Sequence, residues 1–194
     1  MQPNQNHTEH ESDAIIWNEC RYGNEKAFDL IYDKYFSVLY GYGMQFCQNK
    51  ALIKDCIQDL FIELWTKKGS LPEVHAVKYY LFQCIRRKVI KTITKKNFLG
   101  DASSSVEFHL QSDISTETAI INEEIVQDNA KRIQCSLDRL TSRQREAVFL
   151  KFYESLSYNE IALIMHLSDA KYARKLIYRS LKELKLNCLN AKTV

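Results

Sequence analysis

No proline follows Pro72, the only other one is Pro3, and five glycines serve all 194 residues. An all-β chain needs turn-forming punctuation every few residues, and this chain lacks it. Long unbroken stretches carry apolar residues at three- and four-residue intervals instead, the spacing that gives a helix one apolar face. The fold class this predicts is all-α. At this length the chain holds one ordinary core or two small ones.

From Glu25 to about Phe46, residues Phe28, Ile31, Tyr32, Tyr35, Phe36 and Leu39 form one such face. In "NKALIKDCIQDLFIELWTKKG" a second face holds Ile53, Ile57, Leu60, Phe61 and Leu64. The opposite side of that second helix is less ordinary. At about 100° per residue, Asp55, Gln58, Asp59 and Ile62 cluster away from the core, with Trp65 at the edge. Carboxylates beside an exposed isoleucine and tryptophan suit a protein groove better than plain solvation. The plain alternative is that Ile62 packs on a neighbouring helix and the acids are merely solvated.

After the breaker region "TKKGSLPEV" comes "HAVKYYLFQCIRRKVIKTITKK". Here Val77, Tyr80, Leu81 and Cys84 can face a core, while Tyr79, Phe82 and Arg86 point largely the other way. Lys78, Arg87, Lys91, Lys95 and Lys96 add positive charge. Unstacked bases rest on aromatic faces while Lys and Arg hold phosphates, so this mixture suits single-stranded nucleic acid. A buried helical packing would use the same aromatics with no ligand.

The net charge of +3 hides a strong division along the chain. Residues 66–96 carry nine Lys/Arg against one Asp/Glu, and 141–194 carry ten against five, whereas 1–65 and 97–140 each sum to −5. Two basic segments set between acidic ones fit a polyanion touched at two places, with other surfaces left for another partner. Ordinary surface patchiness is the competing explanation.

Between the basic segments, "NFLGDASSSVEFHLQSDISTETA" has little periodicity and several acids, as a flexible tether does. A helix beginning near Ser115 or Thr116 would follow, with Ile121, Ile125, Ile133, Leu137 and Leu140 inward. Thr141 and Gln144 have capping-box spacing, and Val148, Phe149 and Phe152 are available to a core. Ser157 and Glu160 make a second capping box, and Leu156 with Ile161 has staple spacing, which predicts a helix from Tyr158 to about Met165. His166 and Leu167 form a bend, and Ser168 is placed to cap the last helix. There Ala173, Leu176, Ile177, Ser180, Leu181 and Leu184 share an inner face. Lys171, Lys175, Tyr178 and Lys182 lie outside, flanked by Arg174 and Arg179. A short capped helix, a tight bend and a longer helix with a cationic exposed face match a helix-turn-helix, whose second helix enters the major groove. The whole chain then reads as two small helical domains on a flexible linker.

Six cysteines show no C-x-x-C pair and no neighbouring zinc-ligand histidine, so they are expected to be reduced, mostly buried, and not metal ligands. The polar N-terminus carries no signal-peptide pattern and no segment approaches the length of a membrane helix, so a cytoplasmic protein without stable membrane insertion is expected. Scattered histidines, with no phosphate loop, acid/base pair or nucleophile motif, argue against an enzyme; no catalytic residue and no cofactor is expected.

"GNEKAFDLIYDKY", "DCIQDLFIELW", "KYYLFQCIRR", "LDRLTSRQREAVFLKFYESLSYNEIALIM" and "LIYRSLKEL", in that order, carry a resemblance to a known family. The chain resembles bacterial RNA polymerase sigma factors of the sigma-70 superfamily, in the small two-domain extracytoplasmic-function group. The resemblance covers residues 12–96 (region 2) and 120–186 (region 4). It leaves a disordered tail over 1–11, a linker over 97–119 and a C-terminal tail over 187–194.

The resemblance implies a transcription initiation factor that joins core polymerase through the β′ clamp helices and the β flap and carries it to promoter DNA. It implies core-polymerase contacts at Asp55, Gln58, Asp59, Ile62 and Trp65. Minus-10 capture and melting would involve Lys78, Tyr79, Tyr80, Arg86 and Arg87, and minus-35 reading Lys171, Tyr172, Arg174, Lys175 and Arg179. An anti-sigma partner is implied as well. The family often has Trp where Tyr80 stands, Asn where Arg87 stands and Gly where His166 stands. A rival free of the resemblance is a helix-turn-helix regulator that never touches polymerase.

Overall fold

The computed structural model describes residues 5–98, 133 and 135–190, with side chains described for 12–96, 133 and 135–187. Every regular element among them is a helix. The chain divides into two compact units. The first carries α1 (Gln5–Arg21), α2 (Glu25–Gly43), α3 (Lys50–Thr66) and α4 (Val77–Phe98). The second carries α5 (Ser142–Phe152), α6 (Tyr158–Met165) and α7 (Ala170–Asn190).

In the first unit the helices are begun and ended by local chemistry. Gly23 takes a left-handed φ of 89°, which lets the N–H of Asn24 turn back to the carbonyl of Glu19 and closes α1. The Asn24 side chain then accepts from the N–H of Ala27 to open α2, and Asn49 does the same for Leu52 at the start of α3. At Gly43 a Cβ would lie 2.6 Å from the Ile53 side chain, so glycine is what permits the close approach of α2 and α3.

The core joins Ile31, Tyr35 and Leu39 of α2 to Ile53, Ile57, Leu60, Phe61 and Leu64 of α3, in agreement with the periodicity. Phe28, Tyr32 and Phe36, expected on that same face of α2, are only half-buried. From α4 the buried residues are Val77, Leu81, Phe82, Ile85 and Val89. Phe82 corrects the sequence expectation: it is fully buried and meets Tyr42 edge-on with ring centroids 4.7 Å apart. Cys84, expected inside, is half-exposed. Both differences have one cause: the buried stripe of α4 is rotated toward Phe82 and Ile85.

The helical chain also starts earlier than expected. Residues 5–11 belong to α1, where the sequence suggested a disordered tail. Asp13, buried on α1, accepts a hydrogen bond from Tyr35 and pairs with Lys34 at 2.6 Å, fixing α1 to α2.

In the second unit both anticipated capping boxes are formed, Thr141 with Gln144 and Ser157 with Glu160. Leu156 and Ile161 are both buried, as their spacing requires. α6 spans Tyr158–Met165, the expected range, and ends at His166, which adopts a left-handed φ of 51°. Helix α7 packs on both α5 and α6. Its inner row is Ala173, Ile177 and Ser180, which meets Leu140, Ala147, Leu150, Ile164 and Met165 in a small core. Gln144 donates to Glu183 at 2.6 Å and ties the start of α5 to α7. Lys151 donates to the Leu156 carbonyl and lies 4.9 Å from the Tyr158 ring, bracing the connection into α6.

Four expectations change in this unit. Phe152 is 56% exposed, and Leu181 and Ile133 are also exposed. The cap of α7 is Asp169, whose carboxylate accepts from the N–H of Tyr172 at 2.7 Å, one position later than the Ser168 expected. The expected inward residues Ile121 and Ile125, and the tether beyond residue 98, lie outside the described residues.

Candidate functional site

The outer face of α3 presents Asp55, Gln58 and Asp59 to solvent, with Ile62 55% exposed and Trp65 half-buried. Trp65 does not stand alone. Its ring packs on Phe28 of α2 at 5.0 Å between centroids, and the Lys68 ammonium sits 3.6 Å from its centroid. Phe28 and Tyr32 each meet Phe61 edge-on, at 5.8 and 4.8 Å. The two helices thereby enclose a cleft of about 460 Å³, walled by Phe28, Tyr32, Phe61, Ile62 and Trp65 together with Glu25, Asp29 and Gln58.

The α2 wall is absent from the sequence expectation. Its signal is present in retrospect: Glu25, Phe28, Asp29 and Tyr32 repeat the mixture of acid and large apolar side chain that singled out α3. An aromatic floor ringed by carboxylates can hold an apolar side chain while attracting cations around it.

Charge on α3 is adjusted from α4. The largely buried Lys88 lies 2.6 Å from Glu63 and 3.9 Å from Asp59. Its hydrogen bond is the main reason that Glu63 is held below the usual carboxylate range; desolvation opposes it, and the charges of Lys88, Lys67 and Lys91 add to the lowering.

On α4, Tyr79 and Arg86 lie seven residues apart on one row, and Tyr80, Cys84 and Arg87 on the adjacent row. Lys78, Tyr79 and Arg86 are half-exposed and Arg87 is exposed. Arg87 approaches Cys84 Sγ at 3.7 Å. Tyr80 is held more firmly: its ring meets Trp17 of α1 edge-on at 5.3 Å. Burial, reinforced by Cys84, pushes its phenol up to about 12, so it acts as a neutral ring with a hydroxyl. The five expected residues thus lie on the first half of α4, with Tyr80 held against α1. Phe82, which the sequence placed beside them, belongs to the core.

On α7, Lys171, Tyr172, Arg174, Lys175 and Arg179 are all exposed. Lys171, Lys175, Tyr178 and Lys182 form one row, and the Arg174 guanidinium lies 5.4 Å from the centroid of the Tyr178 ring. The exposed face carries no acid after the Asp169 cap until the half-buried Glu183. A cationic helix of this kind, offered beyond a short capped helix and a left-handed bend, can lie along a nucleic-acid groove.

Among the described residues no cluster of His, Cys, Asp and Glu could hold a metal, and no helix is long and apolar enough to cross a membrane. Among the described residues, Cys20, Cys47, Cys56, Cys84 and Cys135 form no disulfide; the first three are buried, whereas Cys135 is exposed.

Comparison with known proteins extends across both units. A family model described as Sigma-70 region 2 matches residues 31–98, and one described as Sigma-70, region 4 matches 130–184. The ECF RNA polymerase sigma factor SigX of Bacillus subtilis is 24% identical over 162 residues, covering 83% of each chain. The ECF RNA polymerase sigma factor SigK of Mycobacterium ulcerans is 23% identical and covers 87% of this chain and 89% of its own. Among solved structures, CnrH in complex with the cytosolic domain of CnrY aligns with a TM-score of 0.65 at 19% identity, covering 93% of this chain and 99% of that one. The sigma factor RpoE in complex with the anti-sigma factor NepR from Bartonella quintana also gives 0.65, at 17% identity, covering 84% of this chain and 96% of that one.

Proposed function

The chain belongs to the sigma-70 family as an extracytoplasmic-function sigma factor, and on that premise we propose that it directs core RNA polymerase to two promoter elements and assists in opening the DNA. The α2–α3 cleft and the outer face of α3, with Asp55, Gln58, Asp59, Ile62 and Trp65, dock on the β′ clamp helices. The start of α4, with Lys78, Tyr79, Tyr80, Arg86 and Arg87, captures the minus-10 strand. Helix α7 reads the minus-35 element through Lys171, Tyr172, Arg174, Lys175 and Arg179, while the second unit also meets the β flap.

The observation that carries this reading is the pairing, on one small unit, of an acidic and aromatic cleft with a separate aromatic and cationic helix. A free-standing regulator has use for a cationic helix but none for that cleft. Binding, without bond-making, is the mechanism. Phosphate contacts give salt-dependent attraction, and stacking of each unpaired base on an aromatic contributes about 1 to 3 kcal/mol, which favours the open strand over the closed duplex. Base-edge contacts of about 1 to 3 kcal/mol each then select the site.

Both solved relatives named above are complexes with a second protein, the cytosolic domain of CnrY and the anti-sigma factor NepR. By that analogy an anti-sigma factor is a further partner of this chain. The test of the whole reading is co-purification with core polymerase. The native chain is expected to co-elute, and a chain carrying Asp59→Arg and Ile62→Ala is expected not to. Equal behaviour of both chains, or no association of either at low salt, overturns it.

A further inference from the structure

Helix α1 lies before residue 31, where the region 2 match begins, yet it holds the loop that leads into α4. Trp17 is 2% exposed, and its indole Nε1–H donates to the carbonyl of Pro72 at 3.0 Å. One turn later on the same face, the Arg21 Nε–H donates to the carbonyl of Leu71 at 2.9 Å. The Arg21 guanidinium also lies 3.8 Å from Glu73 and is steadied by Asn18 at 3.0 Å. Two consecutive carbonyls of one loop are therefore taken by two side chains of one helix. The edge-on contact of Trp17 with Tyr80 adds the first turn of α4 to the same assembly.

The chemistry of the loop explains why it needs such a hold. Proline has no N–H, so the Pro72 carbonyl is its sole backbone hydrogen-bonding group. The Leu71 side chain is buried, while Pro72, Glu73 and His75 stay exposed. The loop runs from a short turn at Lys68–Ser70, just beyond Trp65, to Val77 at the head of α4. A tilt of this segment would move its exposed groups relative to Tyr80 and the cations of α4, and loss of the Trp17 contact would let the Tyr80 ring turn on its own helix.

We propose that Trp17 and Arg21 are positioning residues for promoter reading: they fix the Leu71–Glu73 loop and Tyr80 in a single geometry against which an unstacked minus-10 base is accepted or rejected. This rests on the sigma-factor reading and deepens it. Neither residue touches DNA. Their effect is on discrimination, because a loose loop can shift to accept a wrong base that a fixed one excludes.

The experiment uses the full chain assembled with core polymerase, a promoter it transcribes, and that promoter with single-base changes through the minus-10 element. Trp17→Phe keeps a ring in the core and removes the N–H donor together with part of the ring volume, so its thermal melting is the control for lost packing. Arg21→Ala removes the second hold at a partly exposed side chain, and Arg21→Lys restores a donor. Core-polymerase affinity and thermal melting are measured beside open-complex yield on each promoter.

Both Trp17→Phe and Arg21→Ala are expected to keep polymerase affinity within about twofold, while the ratio of open complexes on native over altered minus-10 sequences falls about fivefold, the weight of one lost hydrogen bond. Arg21→Lys is expected to recover part of that ratio. Unchanged ratios in both variants overturn the proposal. So does a loss of polymerase affinity and melting temperature in step with discrimination, which would make the contacts a brace for the fold alone. If the native chain opens no promoter with core polymerase, the sigma-factor reading itself fails, an outcome distinct from either.

Discussion

Replacing Ile62 by Ala should weaken association with core polymerase without weakening the fold. The side chain is 55% exposed and forms part of the wall of the α2–α3 cleft. Complete burial of an isoleucine side chain contributes about 1.5 to 3 kcal/mol. Only the part still exposed is left for a partner to cover, so docking can gain about 0.8 to 1.6 kcal/mol from it. That corresponds to roughly a four- to fifteenfold rise in dissociation constant on truncation. The same exposure limits the cost to folding, because a surface truncation commonly stays within about 0.5 kcal/mol. Titration of labelled chain with core polymerase at fixed salt, beside urea unfolding of the same two proteins, reads both quantities. An unchanged dissociation constant refutes the assignment of this face. A large loss of stability shows instead that Ile62 supports the core.

Phe82→Ala, at a fully buried ring on Tyr42, should cost about 3 to 5 kcal/mol in urea unfolding; a cost under 1 kcal/mol would return Phe82 to the exposed face. His166→Gly should raise the melting temperature of the second unit, since a left-handed residue with a Cβ costs about 1 kcal/mol that glycine avoids. Lys175→Ala should reduce the slope of log affinity for promoter DNA against log salt by about 1, equally for all minus-35 sequences if its contact is to phosphate. Glu63, its pKa lowered by Lys88, stabilises the folded state at neutral pH, and that contribution disappears as pH falls through the lowered value. The acid side of a melting-temperature profile should therefore be flatter for Lys88→Met than for the native chain.

Much of the second unit was legible because its signals are local. Thr141, Gln144, Ser157 and Glu160 act within four residues of one another, and both boxes close as their spacing requires. The cap of α7 was displaced by one residue because Ser168 and Asp169 both accept well, and only the tertiary placement of the bend selects Asp169. Similarly, the outer face of α3 was legible since its apolar stripe is unambiguous, leaving Asp55, Asp59 and Ile62 as a remainder. Helix α4 was harder. Tyr79, Tyr80, Leu81 and Phe82 are consecutive and large, so periodicity leaves the buried direction uncertain by a residue or more. The contact with Tyr42 decides it.

Long-range features left no trace in sequence. The hold of Trp17 and Arg21 on the carbonyls of Pro72 and Leu71 joins positions more than fifty and exactly fifty residues apart, respectively. No spacing rule connects them. The α2 wall of the cleft is intermediate: Phe28 and Tyr32 fall on the apolar stripe of α2, and their half-burial follows from the way Phe61 and Trp65 meet them across the helix pair.

Run-off transcription with purified core polymerase over a promoter library tests the central claim most directly. The native chain should select promoters that share two separated elements, and changing either element should abolish the product. The Asp59→Arg and Ile62→Ala chain should give no product from any of them. Transcripts that do not depend on the added chain, or that depend on it but ignore both elements, would contradict the account.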